Sequence, residues 1–285
     1  MIITEKYIDL HTHSCKSDGS MTPAELVRHA KAGGLAAVAL SDHDNCDGVA
    51  EAVAEGERIG IEVVPAIELS AISDTETHIL GYYIDINNRH FLQRLEDARR
   101  VRVERLEQTC AALRDHGFDV TMEEAGKYAG SGVLCRAHFA RLMADKGYVK
   151  SPKEAFDLWL GNGRPCCNNK QCFTDEECVQ LIKEAGGLSF VAHLHLTRKP
   201  QDELEKFLIR LKGVGLDGVE GYYTEYTPQM QQDYQSMAKR LGLLISGGTD
   251  FHGTMKPHIS IGTGLGNMKI PYSVLENIKK YRSHK

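Results

Sequence analysis

Short apolar runs alternate with capped amphipathic helices along most of this 285-residue chain, and that alternation leaves few folds open. Residues 7–10, 35–40, 61–67, 79–84, 188–192, 216–220 and 243–246 read as strands, several of them apolar on both faces. Between them lie helix signals. Thr22-Pro23-Ala24-Glu25 places an N-cap, a proline at the first helical position and a glutamate three residues after the cap, and the helix stops at Gly33-Gly34. A second helix, 47–59, closes at Gly60, and Thr174-Asp175-Glu176-Glu177 opens another that closes at Gly186-Gly187. Helices 201–212, 228–241 and 272–281 complete the series. Buried strands alternating with amphipathic helices predict βαβ units and the α/β class.

The alternation breaks once. From 89 to 118 the sequence reads as one long helix, with Leu92, Leu95, Leu106 and Leu113 among its apolar positions. Two more boxed helix starts follow, Thr121 to Glu124 and Ser151 to Glu154. Residues 88–170 are therefore expected to form an all-helical insertion, with 1–87 and 171–285 building the α/β part.

Composition excludes several classes. Hydrophobic residues make up 42% and charged residues 26%, the balance of a folded globular chain rather than a disordered one. The net charge of −5 opposes a stable partnership with long nucleic acid. It divides unevenly, however. Residues 88–170 carry 15 basic and 11 acidic side chains, a net +4, against −9 for the remainder. A basic insertion beside an acidic remainder suits a small, multiply anionic substrate. No run of about 18 apolar residues is present, so no membrane span is expected. The first residues lack a signal peptide's basic start and long apolar core, which predicts a cytoplasmic protein. Eight cysteines lack paired CxxC spacing and read as free thiols; Cys166, Cys167, Cys172 and Cys178 are close together without the spacing of a structural zinc site.

The 13 histidines fall where such a fold carries chemistry. His11 and His13 follow the first strand, and Asp18 comes five residues later. His43 follows the second strand, Glu68 ends the third, His78 precedes a β run, His193 ends the strand 188–192, and Asp250 and His252 follow the strand 243–246. In a parallel α/β barrel the residues after the strands meet on one face. A lone histidine is more often a satisfied core or loop residue. Nine His, Asp and Glu side chains at strand ends are a metal-ligand set, suited to Zn²⁺, Mn²⁺ or Fe²⁺. Nine ligands exceed the needs of one ion and predict two or three, with Glu68 as a bridge.

These segments resemble the PHP (polymerase and histidinol phosphatase) family. The matching pieces are Asp9-Leu10-His11-Thr12-His13-Ser14 with Asp18, Ser41-Asp42-His43-Asp44, Glu68, His78, Ala192-His193 and Gly248-Thr249-Asp250-Phe251-His252-Gly253. The resemblance implies a distorted (β/α)₇ barrel with a trinuclear site. In it His11, His13, Glu68 and Asp250 would hold one ion, Asp18, His43 and His252 a second, and Glu68, His78 and His193 a third. Free-standing members acting on nucleotide bisphosphates carry a helical insertion at this place. Arg136-Ala137-His138-Phe139-Ala140-Arg141, Lys146-Gly147-Tyr148 and Ser151-Pro152-Lys153-Glu154-Ala155-Phe156 resemble theirs, with Ala137 where proline is usual. The loop His193-Leu194-His195-Leu196-Thr197-Arg198 departs from their His-Pro pattern. A related member type opens a ribose cyclic phosphate and then removes the phosphate.

The chemistry so implied is phosphoester hydrolysis of a small phosphorylated nucleotide or sugar phosphate. Divalent ions would bring the pKa of bound water near neutrality and supply the nucleophile. Asp250 would bind metal and orient that nucleophile, and His195 or His252 would protonate the leaving alkoxide. Asp42 and Asp44 read either as orienters of the neighbouring ligands or as turn formers. Arg136, Arg141 and Lys170, with Arg164 weaker, are the candidates to bind a second phosphate, because guanidinium grips phosphate bidentately. Histidinol phosphate hydrolysis, a 5′-end exonuclease on short oligonucleotides, a non-phosphate metallohydrolase and a non-catalytic metal module are the competing readings.

Overall fold

The structure, a computed structural model, describes residues 5–72, 75–129, 134–161, 163–167 and 173–285. The chain divides into two compact units, Met1–Gln93 with Phe173–Lys285, and Arg94–Cys172.

The first unit is an eight-stranded sheet curled into a nearly closed barrel. Its strands are β1 (Tyr7–Asp9), β2 (Ala37–Leu40), β3 (Glu62–Ser70), β4 (His78–Tyr82), β5 (Leu188–Val191), β6 (Gly218–Tyr223), β7 (Leu244–Gly248) and β8 (Ile270–Pro271). They lie in the order β7-β6-β5-β4-β3-β2-β1-β8. Helices α1 (Pro23–Ala32), α2 (Val49–Ile59), α7 (Asp175–Glu184), α8 (Gln201–Val214), α9 (Pro228–Leu241) and α10 (Ser273–Ser283) accompany them. The helix starts obey their caps. Thr22 Oγ1 accepts from the Glu25 amide at 3.3 Å while Glu25 Oε2 accepts from the Thr22 amide at 2.9 Å, and Thr174 and Glu177 do the same. Residues alternating along the strands, among them Ile8, Leu10, Ala37, Ala39, Val64, Ala66, Leu80 and Phe190, fill one buried core. Leu26, Val27, Ala30, Val38, Leu40 and Ala52 fill a second between strands and helices.

Two strands depart from parallel βαβ order. β4 runs antiparallel to both β3 and β5. Only residues 71–77 join β3 to β4, too few for the crossover that a parallel pair requires. This reversal explains why His78 comes before its strand: the start of β4 lies at the same end of the sheet as the finish of β3, with Ser70 opposite His78. β8, two residues long, pairs antiparallel with β1. At the other end of β1 the barrel closes on β7. The Leu10 amide donates to the Gly247 carbonyl at 3.1 Å, the Asp250 amide to the His11 carbonyl at 2.9 Å and the His13 amide to the Phe251 carbonyl at 2.9 Å. Gly248 permits this approach, since a Cβ there would lie 2.3 Å from the His11 backbone nitrogen.

The second unit is helical. α3 (Arg89–Asp115) begins in the first unit's sequence and is followed by α4 (Met122–Ala129), α5 (Arg136–Asp145) and α6 (Pro152–Ala155). Its core includes Leu106, Leu113, Val120, Phe139, Met143 and Leu160. α3 stops three residues short of the expected 118, where Gly117 takes a φ of 87°. Leu95, Leu106 and Leu113 are buried as the periodicity predicts, whereas Leu92 is 37% exposed. Thr121 and Glu124 cap α4 reciprocally. The start at Ser151 is half a box: Ser151 Oγ accepts from the Glu154 amide, but the Glu154 carboxylate takes the Lys150 amide instead. That helix lasts four residues before the π-type turn Phe156–Leu160. No described helix is long and apolar enough to cross a membrane.

Candidate metal centre

Every strand from β1 to β5, and β7, delivers an ionisable side chain to one end of the barrel. Glu68 stands at their centre, fully buried on β3. Its Oε2 lies 3.1 Å from His11 Nε2, 3.2 Å from His13 Nε2 and 3.2 Å from His43 Nδ1. Its Oε1 lies 3.0 Å from His78 Nδ1 and 2.9 Å from His193 Nε2. Asp250 Oδ1 lies 3.2 Å from His13 Nε2 and 3.5 Å from both His11 Nε2 and His252 Nδ1. Asp18 Oδ1 lies 3.2 Å from His252 Nε2, and its Oδ2 lies 3.8 Å from His43 Nε2. The structure thus brings all nine expected ligands together. They fall into groups whose ligand atoms are within 4.8 Å of one another: His13, Asp18, His43 and His252; His11, His13, Glu68 and Asp250; His43, Glu68 and His78; and Glu76, His78 and His193. Glu76, an exposed residue, was not among the expected ligands. No described cysteine belongs to any group.

Electrostatics here are dominated by burial and its compensation. Burial disfavours a charged His11, yet Glu68, Glu220 and Asp250 raise its pKa well above the ordinary imidazole value. For His13 burial also opposes charge, and the adjacent carboxylates of Asp250, Glu68 and Asp18 still lift its pKa to about 9. At His43 burial wins and lowers the pKa to about 3. Glu68 and Asp250 are held well below the carboxylate range because the surrounding imidazoles outweigh their burial.

Hydrogen bonding within the protein leaves part of this cluster unsatisfied. His13 Nδ1 and Nε2, His43 Nδ1 and His193 Nδ1 are buried without a hydrogen-bond partner. Buried polar atoms normally have one. Imidazole nitrogens without partners, interleaved with ionised carboxylates, fit divalent cations.

Asp42 and Asp44, together with residues that the sequence did not single out, hold the candidate ligands in place. Asp9 accepts the Thr249 amide and hydroxyl at 2.9 and 2.6 Å, tying β1 to the segment that carries Asp250. Asp42 accepts the Ser14 amide at 2.7 Å and the Ser17 hydroxyl at 2.6 Å around His13 and Asp18. Asp44 accepts the Ser70 amide at 2.8 Å. Tyr223 donates its hydroxyl to Asp250 Oδ2 at 3.0 Å, and Lys256 Nζ lies 2.6 Å from the same oxygen. Glu220, on β6, reaches His11 Nδ1 at 2.9 Å. A signal for it existed: a glutamate within an otherwise apolar, both-faces-buried strand demands a partner.

The remaining expected residues lie elsewhere. His195, on the 3₁₀ turn Leu194–Thr197, belongs to no ligand group; its Nε2 is 3.2 Å from Glu225 Oε2 and its ring packs by Tyr223 and Tyr226. Arg136 opens α5, and its Nη1 donates to the Leu160 carbonyl at 2.9 Å and lies 2.8 Å from Cys167 Sγ. Arg141 is exposed with its guanidinium 5.5 Å from the Tyr128 ring centre. Lys170 lies outside the described residues.

Comparison with known proteins agrees with this geometry. The chain is 33% identical over 247 residues to the 3′,5′-nucleoside bisphosphate phosphatase of Chromobacterium violaceum, covering 86% of this chain and 87% of that one. It is 31% identical over 251 residues to a 5′-3′ exoribonuclease of Haemophilus influenzae, covering 88% and 91%. A solved amidohydrolase from Chromobacterium violaceum, with bound sulfate, superposes with a TM-score of 0.83 at 30% identity, over 97% of this chain and 96% of that one. The PHP domain model matches residues 9–245, from the strand before His11 to the strand before Asp250. With candidate ligands at the ends of those strands, the chain belongs to the PHP domain family of metal-dependent phosphoesterases.

Proposed function

We propose that this phosphoesterase removes phosphate from a small, multiply phosphorylated substrate, a nucleoside 3′,5′-bisphosphate first and a ribose 1,2-cyclic phosphate second. The observation that carries the reading is the convergence of nine candidate ligand side chains with Glu68 at their centre. Two or three divalent ions, Mn²⁺, Zn²⁺ or Fe²⁺, would be held by His11, His13, Glu68 and Asp250; by Asp18, His43 and His252; and by Glu68, His78 and His193. Such ions supply a nucleophile from water at neutral pH and offset the charge that builds on phosphoryl oxygens. The chain's own groups do the rest. Asp250, held by Tyr223 and Lys256, keeps its carboxylate fixed beside His13. His195, whose Nε2 is paired with Glu225, holds a proton for the leaving alkoxide, with His252 the competing donor. Arg136 and Arg141 of α5 bind the second phosphate.

Similarity to the bisphosphate phosphatase supports the first substrate, and a relative from Eggerthella lenta named phosphoribosyl 1,2-cyclic phosphate 1,2-diphosphodiesterase, 27% identical over 258 residues, supports the second. The exoribonuclease relative favours oligonucleotide 5′ ends as a further reading. A phosphate-release screen of adenosine 3′,5′-bisphosphate, ribose 1,2-cyclic phosphate 5-phosphate, histidinol phosphate and a short oligonucleotide separates them. Fastest turnover of the bisphosphate is expected. Preference for histidinol phosphate would overturn the reading, and preference for the oligonucleotide would replace it with the nuclease.

A further inference from the structure

Glu220 is fully buried in the middle of β6 and belongs to none of the ligand groups. A buried carboxylate is costly unless both oxygens are occupied. Both are, and each serves a different part of the centre. Oε1 lies 2.9 Å from His11 Nδ1, and Oε2 accepts the His193 backbone amide at 2.7 Å. His11 shares a group with His13, Glu68 and Asp250, whereas His193 shares one with Glu76 and His78.

The two contacts act differently. An imidazole that gives its Nδ1 proton to a carboxylate keeps a lone pair on Nε2. In His11 that nitrogen is the one facing Glu68 and Asp250, at 3.1 and 3.5 Å. At His193 the backbone itself is held. Its φ of 25° and ψ of 61° are a conformation that L-residues rarely adopt and that surrounding structure must enforce. Glu220 takes the His193 amide, and Tyr226 Oη accepts the next amide, Leu194, at 2.7 Å. Tyr226 in turn donates its hydroxyl to the Glu220 carbonyl at 3.2 Å. One residue pair from β6 and its following turn thereby fixes the ring aimed at Glu68 Oε1.

We propose that Glu220 is a positioning residue that couples two ion-holding groups, by setting the tautomer of His11 and the backbone of His193 with one carboxylate. The inference rests on the metal-dependent reading above. It has a sharp chemical consequence: glutamine at 220 keeps the shape but loses the charge and one of the two acceptor oxygens, so one contact is lost and the other is weakened.

The test measures ion binding rather than turnover. Wild type, Glu220→Gln and Tyr226→Phe are stripped with EDTA, checked by circular dichroism and melting, and titrated with Mn²⁺ by calorimetry. Metal content after desalting is read by mass spectrometry. Glu220→Gln is expected to fold and to weaken Mn²⁺ binding by about 10- to 100-fold at more than one site. Tyr226→Phe is expected to weaken one site, by about tenfold. Wild-type affinities in Glu220→Gln, or a loss confined to one site, would overturn the coupling. Should Glu220→Gln not fold, unaltered Mn²⁺ binding in Tyr226→Phe would overturn it. A wild-type protein that takes up no Mn²⁺ would overturn the metal reading itself, and the coupling with it.

Discussion

The candidate ligand end of the barrel and the core of the helical unit both bury side chains, yet of opposite chemistry. In the helical unit the buried side chains are Leu106, Leu113, Phe139, Met143, Leu160 and their like, while charges pair outside, as Lys146 does with Glu124 at 2.6 Å. At the barrel end the buried side chains include Asp9, His11, His13, Asp42, Glu68, Glu220 and Asp250. An apolar core suffices to fold a unit of this size, and burying ionised groups opposes folding. Under the proposed function the barrel end retains its charges for chemistry, and local rules of burial fail where function lies.

Substitutions at the two cores should separate these roles. The largest effect is expected from Glu68→Ala, which removes the carboxylate touching five imidazoles. Phosphate release should fall at least about a thousandfold together with metal content, and a loss below about tenfold would break the comparison. Phe139→Ala, at the other core, should cost about 3–5 kcal/mol in the melting of the helical unit. Metal content of the protein should stay unchanged, and parallel loss of ions would show that the two regions are not distinct.

A smaller effect is expected from Arg136→Ala. The KM for adenosine 3′,5′-bisphosphate should rise about tenfold, the loss of one charge-assisted contact, with little change for a simple aryl phosphate. Equal effects on both would remove Arg136 from substrate binding. The smallest effect concerns pH in the ion-free protein. Because the folded pKa of His13 is about 9, above its ordinary 6.5, its stabilising charge is fully present below pH 6.5 and is lost as pH rises through 9. Melting of EDTA-stripped protein should drop by a few degrees across that window, and bound Mn²⁺ should flatten the slope by displacing the proton. A melting temperature that rises with pH there would contradict the assignment.

Sequence carried much of this because the relevant signals are local. Capping boxes at Thr22, Thr121 and Thr174 mark helix starts whatever the tertiary structure, and ligands adjoining apolar strands declare themselves by position. Directions and partners are not local. Nothing in residues 79–84 says that β4 runs backwards; only the short 71–77 connection does, once β3 is known to be its neighbour. β8 is too short for a periodic signal. Asp9 and Glu220 act on residues 240 and 209 positions away, so their roles depend on closure of the barrel. Arg136 stood out by motif, while its contacts with Leu160 and Cys167 depend on how α5 packs.

The buried charges at the barrel end are proposed to hold ions that hydrolyse phosphoesters. Phosphate release from adenosine 3′,5′-bisphosphate, measured in EDTA-stripped protein of verified metal content and again after adding Mn²⁺, tests this most directly. No turnover is expected when stripped, with recovery on readdition. Undiminished turnover in the verified metal-free protein would contradict it.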